Sequence, residues 1–156
     1  MLGDQASAPT DGVTVRLSPD GPHSPEYTSQ VASAAAEAVR VLNHATLNFA
    51  GQALEFPADA DTVLCSLSTA AQRLPQLLDQ LRGWLNDELA AGRLRIGHGP
   101  HAGDPAAAMA EASRRLRDAS AIAFRLHLAL KDVTAVTSTL GAPFPPPAAE
   151  EVPGER

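Results

Sequence analysis

Apolar residues recur along this chain at alternating steps of three and four, in three separate stretches. That spacing keeps a set of residues on one side of an α-helix, which turns once every 3.6 residues. The first set is Val31, Ala35, Ala38, Leu42, Ala45 and Phe49. The second is Leu64, Leu67, Ala71, Leu74, Leu78, Leu81 and Leu85, accompanied by a parallel row of Val63, Ala70, Leu77 and Trp84. The third runs without a miss through Met109, Ala112, Leu116, Ala119, Ala123, Leu126, Leu130, Val133, Thr137 and Leu140. A pattern sustained this long is of the coiled-coil kind.

Start and stop signals bracket each stretch. Ser24 is a good N-cap, Pro25 suits the first helical position, and Glu26 favours the positive end of the helix dipole. Gly51 supplies a stop. Asp59 or Asp61 caps the second helix and Gly92 ends it. Asp104 and Pro105 repeat the cap-then-proline start, and Gly141 with Pro143 closes the third helix. The expected fold class is therefore all-α: an antiparallel bundle of three long helices over 24–141, with helices at about 25–50, 59–91 and 105–140. Pro75 falls inside the second helix. The heptad phase is the same on both sides of it, so the expectation is one kinked helix and not two.

The ends read differently. Residues 1–23 are rich in Asp, Gly, Ser and Pro and are expected to form a flexible tail. Within them, residues 12–17 alternate Val13, Val15 and Leu17 with polar neighbours, a short strand pattern that Leu94 and Ile96 of residues 93–96 repeat. Pairing of these two segments and a wholly extended tail both remain open. Residues 142–156 carry three consecutive prolines and then Glu150, Glu151 and Glu155, and are expected to be disordered.

Composition sharpens this picture. Alanine makes up roughly a fifth of the chain, and aromatic residues only 4%. Small side chains let helices approach closely and build a thin core. The net charge of −6 points away from a nucleic-acid backbone as partner. A single cysteine, Cys65, rules out an intramolecular disulfide and is expected to be semi-buried. There is no secretory-signal pattern and no apolar run long enough to span a membrane, so a cytoplasmic location is the default expectation.

The third helix carries more apolar surface than one seam requires. Ile122, Ala129 and Val136 form a second stripe, while Phe124 and Leu128 point to the opposite side. Burying Phe124 and Leu128 would contribute about 3–5 kcal/mol before association costs. Ile122, Phe124, Leu128 and Val136 are thus the candidate interface, for a second copy of the chain or for another protein. The competing expectation is that Leu54 and Phe56 fold over this side.

Candidate chemistry is sparse. His98 and His101 lie in the glycine-rich second connection, without the further ligands a metal needs. His44 and His127 read as polar-side histidines, and Glu37 and Glu111 are single acids. Phosphate-loop, dinucleotide, zinc-protease and nucleophile-elbow motifs are all missing from the sequence. The expectation is a non-enzymatic interaction or scaffolding protein without cofactor or metal, associating through its third helix. The alternative is a small accessory protein of DNA machinery, contacting phosphates through Arg114, Arg115 and Arg117.

Overall fold

A computed structural model of the chain describes residues 16–47 and 53–141. It contains three helices: α1 (Pro25–Ala45), α2 (Pro57–Ala90) and α3 (Pro105–Thr137). The fold is all-α, and no strand occurs among the described residues. Leu17 and residues 93–96 are irregular and do not form the ribbon weighed above. Residues 12–15 and the tail 142–156 lie outside the described residues, as do Phe49 and Gly51.

The chain divides into two units, one holding α1 and the other α2 with α3. In the first, Ser24 caps α1 by accepting the Tyr27 N–H at 3.1 Å. The segment before the helix is tied down by the Tyr27 side chain. Its hydroxyl accepts the Ser18 N–H at 3.0 Å and lies 3.0 Å from the Arg16 carbonyl. Gly21 makes this possible: a Cβ there would lie 2.8 Å from the Tyr27 ring. The helix ends at Ala45, short of the expected residue 50, where the Thr46 hydroxyl donates to the Leu42 carbonyl at 2.8 Å.

In the second unit, α2 begins two residues before one expected cap, Asp59, and four before the other, Asp61. Pro57 takes the first helical position, and Asp59 lies one turn in. Its carboxylate accepts the N–H groups of Glu55 and Phe56, both at 2.8 Å. These bonds hold the Asp59 carboxyl below the usual range. The helix then runs unbroken through Pro75. Gly92 ends it as expected. At φ 68° it sits in the left-handed region, donating to the Leu89 carbonyl while Arg93 N–H reaches the Glu88 carbonyl at 3.0 Å. Asp104 caps α3 through the Ala107 N–H at 2.9 Å, and α3 stops at Thr137.

The helices α2 and α3 pack antiparallel. Three polar contacts cross between them, Asp61 with Thr137, Ser68 with His127 and Asn86 with Ser113, and their order fixes the direction. The seam on α2 is Asp61, Leu64, Ser68, Ala71, Pro75, Leu78, Arg82 and Leu85, all buried or half-buried. On α3 it is Met109, Ser113, Leu116, Ser120, Ala123, His127, Leu130, Thr134 and Thr137.

This corrects the expected contact stripes. Half of each stripe lies in the seam, and the other half has been replaced by its neighbour. Ser68 takes the place of Leu67, Ser113 of Ala112, His127 of Leu126, and Thr134 of Val133. The physical reason is width. Each helix is apolar over a broader arc than one partner can cover, and the small residues Ser68, Ala71, Ser113 and Ala123 allow the closest approach. The most buried residues of this pair are those four and Met109.

A seam this tight has no room to grow. Ala71→Leu and Ala123→Leu are each expected to destabilise the hairpin by about 1–3 kcal/mol through overpacking. Thermal denaturation followed by circular dichroism measures it, and an unchanged midpoint would contradict the close approach.

Candidate interaction surface

The seam divides the rest of the hairpin into two sides. In an antiparallel pair, like flanks of the two helices come together. Residues immediately preceding seam positions therefore gather on one side, and residues following them on the other.

The preceding residues are apolar except for Arg115. On α2 they include Leu74, Leu77, Leu81 and Trp84, which are 40%, 49%, 45% and 60% exposed. On α3 they include Ile122, Leu126, Val133 and Val136, at 57%, 49%, 43% and 63%. Most of these residues belong to the stripes read from the sequence. The part of each stripe that does not face the other helix has been turned to this side.

The following residues are largely polar: Thr62, Cys65, Thr69, Gln72, Gln76 and Asp79 on α2, and Arg114, Arg117 and Lys131 on α3. Phe124 and Leu128 fall on this side too, half exposed, with the Phe124 ring centroid 6.2 Å from that of His127. The four candidate interface residues are thus split. Ile122 and Val136 join the apolar flank with the leucines of α2, while Phe124 and Leu128 stand among polar neighbours. Leu54 and Phe56 remain 39% and 51% exposed, so neither is buried over α3. Cys65, expected to be semi-buried, is exposed, with its sulfur 3.9 Å from an Asp61 carboxylate oxygen.

The basic cluster is mostly engaged. Arg115 and Arg114 both reach the same Glu111 oxygen, at 3.3 and 3.5 Å, and Arg114 also approaches Asp118 at 3.8 Å. Among the described residues Arg117 makes no ion pair within 4 Å. The second carboxylate oxygen of Glu111 meets His101 Nε2 at 3.1 Å. His101 is half-buried and ties the second connection to the first turns of α3. His98 stays exposed, as does His44 on α1.

His127, read as lying on a polar side, is a seam residue. Its Nδ1 lies 3.0 Å from the Ser68 hydroxyl and 3.1 Å from the Ser68 carbonyl. A carbonyl can only accept, so the tautomer with the proton on Nδ1 satisfies both contacts. No group of three or more metal-ligating side chains occurs among the described residues. No described helix is long and apolar enough to cross a membrane.

Sequence reasoning did not find the His101–Glu111 tie or the polar seam. Ser113, Ser120, His127 and Thr134 recur every seventh residue, a polar heptad row beside the apolar one. Comparison with protein-family models, with curated proteins and with solved structures returns no match.

Glu111 offers a test of the loop tie. Its carboxyl is held below the usual range, first by the His101 hydrogen bond and then by Arg115. A depressed carboxylate adds stability above its unfolded value and loses it as pH falls through the folded one. Glu111→Gln is therefore expected to lower the thermal midpoint at pH 7, and the gap to the unaltered chain should close at pH values below the ordinary carboxylate range. A gap that is the same at pH 3 and pH 7 would rule out the charged contact as its source.

Proposed function

We propose that this chain is a non-enzymatic helical interaction protein, acting by helix–helix association through the apolar flank of the α2·α3 hairpin. Self-association is its expected form. One observation carries the reading: eight large apolar side chains, four from each helix, stand at least two-fifths exposed on one side of the hairpin. Large apolar side chains gathered on one side, rather than scattered singly over the surface, mark an interaction site. The opposing reading, phosphate contact through Arg114, Arg115 and Arg117, is weakened because Arg114 and Arg115 already share the Glu111 carboxylate and Arg114 also approaches Asp118.

The apolar flank and the Phe124–Leu128 pair make different predictions. Ile122→Ser with Val136→Ser is expected to weaken association at least tenfold and leave helicity unchanged. Phe124→Ser with Leu128→Ser is expected to change it less than threefold. Light scattering over a concentration series reads both. The reverse order would move the contact to the Phe124 side, and a chain that stays monomeric at every concentration would remove self-association altogether.

A further inference from the structure

The apolar flank of α2 carries charges arranged to match themselves. Leu74, Leu77, Leu81 and Trp84 form its apolar row, bordered on the outer side by Arg73 at one end and Asp87 at the other. Both charges are exposed, and among the described residues neither has an ion-pair partner within 4 Å. They stand fourteen residues apart, from 73 to 87, which is close to four turns, so both edge the same side of the helix. Their midpoint is Gln80, next to Leu81.

The helix α3 repeats the arrangement. Arg125 and Glu111 are also fourteen residues apart, centred on Asp118, and border the same flank from the opposite edge. The cross-seam contacts Ser68–His127 and Asn86–Ser113 put Gln80 level with the turn that holds Asp118. Two helices therefore give the same centre independently. A twofold axis at that level, perpendicular to the helices, places Arg73 opposite Asp87 and Arg125 opposite Glu111, the carboxylate that Arg114 and Arg115 of its own helix also reach. Like outer edges meet in an antiparallel pairing, as this requires. A twofold along the helices would instead set Arg73 against Arg125 and Asp87 against Glu111, which repel.

From this geometry we infer that the occupant of the apolar flank is a second copy of this chain. The two copies pack α2 against α2, antiparallel, about a twofold near Leu81. Leu81 meets Leu81 of the second copy, and Leu77 meets Trp84 of the second copy. The apolar row supplies the attraction, while the exposed ion pairs select the register, since surface pairs add little affinity but like charges in contact oppose a wrong alignment. The inference rests on the interaction reading above and deepens it by naming the partner and its register.

Charge reversal tests it on the full chain, by sedimentation equilibrium at low salt. Arg73→Glu sets two acids together at both ends of the twofold pair, and Asp87→Arg sets two arginines together. Each is expected to weaken the dimer about tenfold, and the combination of both reversals to return it to within about threefold of the original. Leu81→Asp, at the axis and outside the α2·α3 seam, is expected to abolish the dimer with helicity retained. Association that responds to Ile122→Ser with Val136→Ser, yet ignores the reversals or is not restored by their combination, overturns this register and leaves the interaction reading standing. A monomer at all concentrations overturns both.

Discussion

Two helices can shield from water only the strip along which they face each other. In the α2·α3 hairpin that strip is made narrow and close by Ser68, Ala71, Ser113 and Ala123. The consequence governs everything else in this unit. The part of each apolar arc that the strip cannot cover is turned to one flank, and because the helices run antiparallel, the displaced residues of both arrive on the same flank. A hairpin closed by larger residues would have placed Leu67 and Leu126 between the helices and left less apolar surface outside.

The polar members of the seam bear on register more than on stability. Apolar contacts along a helix pair set its register weakly, because one apolar side chain can stand in for the next. Ser68 with His127, Asp61 with Thr137 and Asn86 with Ser113 each match only one neighbour. A slip would strand a part-buried hydroxyl or imidazole without a partner, which costs more than the bond itself contributes. Every fully buried side-chain polar atom among the described residues has a partner. The loop end is secured by a separate device. Glu111 takes His101 of the connection on one oxygen and Arg114 and Arg115 of its own helix on the other, so the loop is tied to α3 at a carboxylate that these arginines share.

Much of the fold was legible because it depends on local chemistry. Ser24, Gly92 and Asp104 act where their backbone preferences place them, and the three-and-four spacing located all three helices. The unchanged phase across Pro75 correctly implied a single helix. Ends set by longer contacts were less legible: Asp59 works from inside α2 and not ahead of it. The seam was misplaced because apolar periodicity gives the direction of the hydrophobic arc, not the direction of the neighbour. The two coincide only when one neighbour covers the whole arc. Tyr27 and His101 were missed for another reason: their partners lie on irregular segments, whose path no periodicity describes.

That mismatch of directions is itself informative about assembly. In a two-stranded pair the apolar arc of each helix points straight at its partner. In a bundle of more strands it points between two neighbours, toward a common axis. Here the arcs of α2 and α3 both point beside their shared seam and to the same side, which is the arrangement the proposed self-association needs. Under that proposal the shared axis would run on the flank that carries Leu74, Leu81, Leu126 and Val133. The polar side supports the same reading. Thr62, Thr69, Gln72, Gln76 and Asp79 give α2 a solvent surface that needs no cover, so the demand for a partner is directed at one flank. A second hairpin presenting the same flank would complete the layer with helices of equal length.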